Sequence, residues 1–402
     1  MTTREKDILS NIFEKALTGK SIFINRQVLR SDFIPGKLPF REEQINIIGQ
    51  ILAPILQESK PSNLLLYGKT GSGKTAVAKY VLSKFEETTK QHNKAISLAY
   101  SNARLAGSEY RVLVDLAHCL SMDMPFTGLP ISEVLQRIYN KISDNNLKVI
   151  FIIDEIDYLA KHAKNSNDDM LYSLTRSSEH LKQGFISIMG ISNDLHFKSF
   201  LDPRVLSSLN EEEILFPPYT VNQLSNILTE RIQEAFNNKT VPLSTINLCA
   251  ALAGSEHGDA RRAIELLRVA GELAERSDDT TILEKHVKDA SMKIDNDRIY
   301  QAVKTLPLHE KTVLKAVTSN DDNTTTGDVY NQYQKLTKKI GVEPLTQRRI
   351  SGLLSELDTQ GLINASIINQ GRHGRTKRIS SVVSNNIIDQ VFEDDPIAKS
   401  LL

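Results

Sequence analysis

Gly68-Lys69-Thr70-Gly71-Ser72-Gly73-Lys74-Thr75 constrains this chain more than any other stretch. The pattern G-x-x-x-x-G-K-[ST] needs its glycines so that successive backbone N–H groups can turn inward and cradle the β- and γ-phosphates of a nucleotide. Lys74 supplies a point charge to those phosphates, and Thr75 a hydroxyl for Mg2+. Just before the loop, Asn63-Leu64-Leu65-Leu66-Tyr67 reads as a short buried strand. Just after it, apolar residues at 77, 78, 81, 82 and 85 have the spacing of a helix face. Strand, glycine loop and helix in this order imply a nucleoside triphosphate site in an α/β domain with a parallel sheet. A glycine-rich surface turn, the alternative, leaves both flanks unexplained. The candidate nucleotide contacts are Gly68, Lys69, Thr70, Gly71, Ser72, Gly73, Lys74, Thr75 and Ala76.

Composition narrows the class. A length of 402 residues suggests two or three domains, and 40% apolar with 24% charged residues is ordinary for a globular chain. No run approaches the roughly 18 apolar residues of a membrane span, and Met1-Thr2-Thr3-Arg4-Glu5-Lys6-Asp7 does not resemble a signal peptide. Cys119 and Cys249 are far apart in apolar helical patterns, which reads as two buried thiols in a reducing compartment. The nine histidines never join cysteine or acid at metal-ligand spacing, so zinc is not expected. A formal net charge of zero excludes a protein basic all over, though not a basic patch.

Val149-Ile150-Phe151-Ile152-Ile153 running into Asp154-Glu155 describes a central strand with acids at its carboxyl edge, where the phosphate loop must also lie. Asp154 is then placed to hold Mg2+ through water, and Glu155 to accept the proton of an attacking water. A third buried strand, Phe185 to Ile191, ends in Ser192-Asn193-Asp194. Asn193 either bonds the γ-phosphate or orients the attacking water, or else sits in a simple turn. Arg204, ahead of a last strand Glu213 to Phe216, either projects to a neighbouring subunit or pairs with a local carboxylate. From Pro217 the pattern is helical: Thr220-Val221-Asn222-Gln223 is a capping box, and Gly258-Asp259-Ala260-Arg261-Arg262 opens another helix. Arg261 can be lowered onto the phosphates by a lid, or can be solvated.

Further on, Lys304 to Thr318, Gly327 to Ile340 and a helix from Leu345 to Gly361 precede two strands, Leu362 to Ile368 and Arg375 to Val383. Three helices and a β-hairpin make a winged helix, whose third helix enters the major groove of DNA. Residues 335–381 hold nine Lys/Arg against three Asp/Glu, concentrated at Arg348-Arg349 and around the hairpin tip with Arg372, His373, Arg375, Lys377 and Arg378. Docking of protein is the competing use of such a domain.

The chain resembles the archaeal origin-recognition and helicase-loader initiators, the ORC/Cdc6-type AAA+ ATPase family, from about Ile22 to Val383. The resemblance is carried by Phe33-Ile34-Pro35-Gly36-Lys37-Leu38-Pro39-Phe40-Arg41-Glu42, the phosphate loop, Ile153-Asp154-Glu155-Ile156-Asp157, Gly190-Ile191-Ser192-Asn193-Asp194, Asp202-Pro203-Arg204-Val205, Gly258-Asp259-Ala260-Arg261-Arg262 and Gly371-Arg372-His373-Gly374-Arg375-Thr376. Tyr110-Arg111-Val112 through Pro125-Phe126-Thr127-Gly128-Leu129 is similar to the helical insertion of initiators, although Ala106-Gly107-Ser108-Glu109 departs from the proline-containing turn before it. The resemblance implies an AAA+ core over about 1–217 with the insertion at about 105–135, a helical lid over 218–296 and a winged helix over 297–402. It implies a first-sensor role for Asn193, a second-sensor role for Arg261 and a finger role for Arg204. It also implies that Ile34 and Pro35 line the adenine pocket, that Tyr219 and Arg231 touch the nucleotide from the lid, and that Arg111 lies on a second DNA contact.

The expected protein is therefore an ATP-regulated initiator using ATP/ADP and Mg2+, with slow hydrolysis acting as a conformational switch. Its expected partners are double-stranded origin DNA, the MCM helicase and other initiator paralogues. No membrane is involved, and the place is the cytoplasm, associated with the nucleoid. The alternatives are an AAA+ winged-helix regulator of plasmid partition or transcription without helicase loading, and a general remodelling motor with rapid turnover.

Overall fold

All five residues of β1 (Asn63–Tyr67) are buried, as expected of a strand covered on both faces. The computed structural model describes Phe13 and residues 21–162, 169–209, 211–319, 324–369 and 375–401. β1 lies inside a five-stranded parallel sheet with β2 (Ile96–Asn102), β3 (Lys148–Asp154), β4 (Phe185–Ser192) and β5 (Glu211–Leu215), in the order β2-β3-β4-β1-β5. Alternation along the strands builds two apolar layers. Leu64, Leu66, Ile150 and Ile152 pack with Ile48, Val77 and Val81 of helices α1 (Glu42–Leu52) and α2 (Lys74–Gln91). Leu65, Tyr67, Phe151 and Ile153 face the opposite way. There they meet helices that include α4 (Glu109–Cys119), which follows the short α3 (Ala103–Ala106), and α5 (Ile131–Asp144). Helix α6 (Asp157–His162) leaves the end of β3. Helices α7 (Asp169–Thr175) and α8 (Pro203–Leu209) lie on either side of β4 in the chain order.

The chain divides into two compact units, Met1–Val287 and Lys288–Leu402. Within the first, the sheet is followed by helices α9 (Val221–Ala235), α10 (Leu243–Ser255) and α11 (Ala260–Arg276). Thr220 and Gln223 form the reciprocal capping box read from the sequence. The departure before Tyr110 has a local reason: Gly107 ends α3 at φ +77°, and the Ser108 side chain caps α4 in place of a proline turn. Cys119 corrects the expectation of two buried thiols. It stands at the last residue of α4 and is exposed, whereas Cys249 is fully buried.

Helix α12 (Glu284–Thr305) contains the boundary between the units. The single helix expected over Lys304 to Thr318 is two, because Pro307 disfavours a helical Leu306; α13 (Leu308–Thr318) starts afresh. The second unit continues with α14 (Thr326–Ile340), α15 (Gln347–Thr359), the antiparallel pair β7 (Ile363–Asn369) and β8 (Arg375–Ser381), and β6 (Thr324–Thr325) on the far side of β8. Val313, Val329, Tyr333, Ile350, Leu354 and Ile379 form its core, together with Ile388 and Phe392 of a further helix, α16 (Asn385–Glu393). This is a winged helix.

Candidate functional site

The loop between β1 and α2 is held in an anion-binding shape by its own geometry. Gly71 and Gly73 take φ +74° and +90°, and side chains there have no room. A Cβ on Gly71 would lie 1.8 Å from Asp259 Oδ1, and one on Gly73 2.7 Å from the Tyr219 hydroxyl. Lys74, 4% exposed, donates to the carbonyls of Gly68 at 2.7 Å and Lys69 at 2.9 Å. Burial, and then the charge of Arg261, push its ammonium down to about 8. A buried cation held by neutral carbonyls at a helix N-terminus suits a dense anion such as a polyphosphate.

At the carboxyl end of β3, Asp154 gathers three donors. Thr75 Oγ1 and the Tyr100 hydroxyl both donate to Oδ2, at 3.1 and 3.0 Å, and the Glu155 N–H donates to Oδ1 at 2.9 Å. The Tyr100 hydroxyl is shifted above its ordinary range by burial and by the Asp154 charge. Adjacent hydroxyl and carboxylate oxygens are the hard ligands that Mg2+ takes beside nucleotide phosphates, so the residues present fit it. Glu155 occupies the left-handed region at φ +52°, a strained setting for a non-glycine residue, and Arg104 Nη1 lies 3.7 Å from its Oε2. Asn193 follows β4, and Asp157 Oδ1 accepts from its N–H at 3.1 Å and from Ser192 Oγ at 3.2 Å, tying the two strand ends together.

The helical part of the first unit closes over the loop. Asp259 caps α11 by accepting from the N–H groups of Arg261 and Arg262, and the Ala260 N–H reaches the Gly71 carbonyl at 3.2 Å. Exposed Arg261 thus starts a helix seated against the phosphate loop. Tyr219, 6% exposed, packs beside the loop. Arg231, 8% exposed, lies over the Phe33 ring at 4.9 Å, next to Ile34 and Pro35. Arg204 instead makes a two-point contact with Asp202, Nε to Oδ1 at 3.0 Å and Nη2 to Oδ2 at 2.9 Å, and lies 5.3 Å from the Tyr172 ring centroid.

Sequence reasoning missed three polar partners. Tyr100 and Arg104 reach Asp154 and Glu155 from the end of β2 and from α3. Arg41, 2% exposed, donates to the carbonyls of Ser72, Phe40 and Pro217. Neither Tyr100 nor Arg104 carries a local motif. Arg41 stood within a quoted family stretch, yet two of its three partners lie 31 and 176 residues away.

In the second unit, Arg348 and Arg349 are exposed in the first turn of α15, which Thr346 caps. Arg349 Nη1 lies 3.3 Å from Glu356 Oε1. Half-buried Lys377 donates to Ser355 Oγ at 2.7 Å, joining β8 to α15, and Arg378 is exposed. Arg372 and His373 lie outside the described residues, as does the side chain of Arg375. In the first unit, exposed Arg111 lies 5.8 Å from the ring centroid of Phe126, itself 62% exposed.

Three family models match in chain order: an AAA domain over residues 57–195, the Cdc6 AAA+ ATPase-type lid domain over 225–292 and the CDC6 C-terminal winged helix domain over 301–391. ORC1-type DNA replication proteins of Thermococcus onnurineus and Pyrococcus abyssi are each 44% identical, over 99% and 100% of this chain and 97% of each relative. The ORC1 protein of Aeropyrum pernix, solved in complex with DNA, is 41% identical. It superposes with a TM-score of 0.87 over 95% of this chain and all of that one. Cdc6p of Pyrobaculum aerophilum, 20% identical with a TM-score of 0.60, shares the fold.

Proposed function

The chain belongs to the ORC1-type DNA replication proteins, and from that premise we propose that it is an ATP-regulated initiator that binds duplex origin DNA and helps to recruit and load the replicative MCM helicase. The observation that carries the reading is the likeness to A. pernix ORC1, solved with DNA, which runs through phosphate loop, lid and winged helix alike.

Within this reading, the loop residues 68–76 hold the phosphates of ATP or ADP, and Lys74 exchanges two carbonyl partners for phosphate oxygens. Thr75 and Asp154 would hold Mg2+, which would supply positive charge to offset that of the nucleotide phosphates. Glu155 accepts a proton from the attacking water, and Asn193 orients that water from the end of β4. Arg261 contributes charge from the lid in cis, whereas Arg204 leaves Asp202 to act on a neighbouring subunit's nucleotide. Ile34 and Pro35 line the adenine pocket, with Tyr219 and Arg231 beside it. Hydrolysis is slow, so each nucleotide state persists as a distinct conformation. The boundaries 1–217, 218–296 and 297–402 divide the three roles. Arg111, Arg348, Arg349, Arg372, His373, Arg375, Lys377 and Arg378 meet DNA, mostly at phosphates. Other initiator paralogues are further partners, and the place of action is the cytoplasm at the nucleoid.

The test is a footprint of the full chain on candidate origin DNA, with and without ATP and across a salt series, followed by co-capture of MCM. Protection of a defined site with steep salt dependence is expected. Equal binding to every duplex sequence, with MCM never captured, would refute the initiator role.

A further inference from the structure

Arg41 has no role in the nucleotide site outlined above, yet it is among the most deeply buried charged residues of the first unit, at 2% exposure. Its guanidinium spreads over three segments. Nε donates to the Ser72 carbonyl at 3.0 Å in the phosphate loop, Nη1 to Phe40 at 3.1 Å, and Nη2 to Pro217 at 2.6 Å, where the chain leaves β5 for the lid. The same group stacks 3.9 Å from the centroid of the Tyr219 ring. Burial lowers its pKa while Tyr219 and then the Glu42 charge oppose the shift, and the three carbonyls it donates to are neutral backbone oxygens.

Two consequences follow from geometry. The Ser72 carbonyl and the Gly73 N–H belong to one peptide, and in a trans peptide they point opposite ways. Fixing the carbonyl on Arg41 therefore fixes the direction of the Gly73 N–H, one of the loop donors available to a phosphate. Next, Pro217 and Tyr219 are tied onward: the Tyr219 N–H meets the Gly258 carbonyl at 3.4 Å, and Asp259 and Ala260 close back on Gly71. Loop, Arg41, 217–219 connection and the start of α11 thus form a closed ring of contacts.

Resting on the ATP reading above, we propose that Arg41 is a positioning residue that aims the Gly73 N–H at the bound phosphates and couples the phosphate loop to the lid, so that Arg261 engages only when the loop is set. A planar fork can bridge two carbonyls and stack on a ring at once; a lysine ammonium keeps the charge and loses that geometry.

Full-length wild type, Arg41→Lys, Arg261→Ala and the double variant are titrated with a fluorescent ATP analogue, and the ligand-free melting of each is recorded. Arg41→Lys is expected to bind ATP about 10- to 100-fold more weakly. Its ligand-free melting should fall, because buried carbonyls lose their donor, so the deciding readout is the coupling: the further loss on adding Arg261→Ala should shrink to less than about twofold. Wild-type ATP affinity in Arg41→Lys, or full additivity with Arg261→Ala, overturns the proposal. Should Arg41→Lys fail to fold, Arg41→Gln keeps a planar N–H donor for a single carbonyl and loses the fork and the stacked cation. The same affinity loss is then expected, and undiminished affinity overturns the proposal. A wild type that ignores ATP overturns the nucleotide reading and this proposal together. If wild type binds and Lys74→Ala does not, while Arg41→Lys binds normally, this proposal falls alone.

Discussion

Two sets of cations, one buried in the first unit and one on α15 and β8 of the second, are held in opposite ways. In the first, Arg41, Lys74 and Arg231 are each under 10% exposed, and the hydrogen bonds described for them go to backbone carbonyls. In the second, Arg348, Arg349 and Arg378 stand in solvent. A cation stripped of water costs free energy to keep, and a compact polyanion relieves that cost at one place. Solvated cations cost little, and each one gains little until many meet a polymer of phosphates. The difference teaches that a buried cation suits a switch with a small ligand, whereas a cluster of exposed ones suits an adhesive whose strength depends on salt.

Within the switch, Glu155→Gln should lower turnover about 10²- to 10⁴-fold while leaving ATP bound, because the loop and Asp154 are untouched. Equal turnover in variant and wild type removes Glu155 from the chemistry. Lys74→Ala should weaken ATP binding about 10²- to 10³-fold in equilibrium titrations. Lys74 also sets a pH dependence. Its folded pKa, about 8, lies below the ordinary 10.5, so the unfolded chain holds more protons between these values and ligand-free stability rises with pH across that window. Phosphates restore the charge, so ATP affinity should fall above pH about 8, by up to about tenfold per unit. A flat profile from pH 7 to 10 would show that Lys74 does not meet phosphate.

For the adhesive, Arg348→Ala with Arg349→Ala should weaken duplex binding about 10- to 100-fold. The salt slope should flatten by about one unit per lost phosphate contact. Unchanged slope would mean that this face docks protein, and the contrast between the two sets of cations would disappear. Arg372→Ala with Arg375→Ala should weaken all sequences alike. The smallest effect is expected from Tyr100→Phe, which removes one of three donors to Asp154: about fivefold in the Mg2+ concentration that supports ATP binding, with melting unchanged. No shift in that midpoint makes Tyr100 a bystander.

Those sites differ in how openly the chain declares them. The phosphate loop and the strand ending in Asp154-Glu155 are continuous patterns, because phosphate cradling and sheet burial act on neighbouring residues. The capping box at Thr220 is equally local. Arg41, Tyr100 and Arg104 were illegible because each owes its place to tertiary packing that brings distant segments within hydrogen-bond or ion-pair reach. Cys119 was misread because an apolar helical stripe does not say which face its last turn presents. The break at Pro307 was overlooked although proline is a local signal, since the apolar spacing continues on either side of it.

The chain's two cysteines differ in a way an experimenter can use. Cys249 is fully buried, and burial pushes its thiol up to about 12, so it offers almost no thiolate to a reagent at neutral pH. Cys119 is exposed at the end of the helix that begins with Glu109-Tyr110-Arg111. A maleimide dye added to the unaltered protein should therefore attach at one position, on the insertion whose meeting with DNA is proposed. The native sequence carries its own attachment point for a fluorescence reporter of that event.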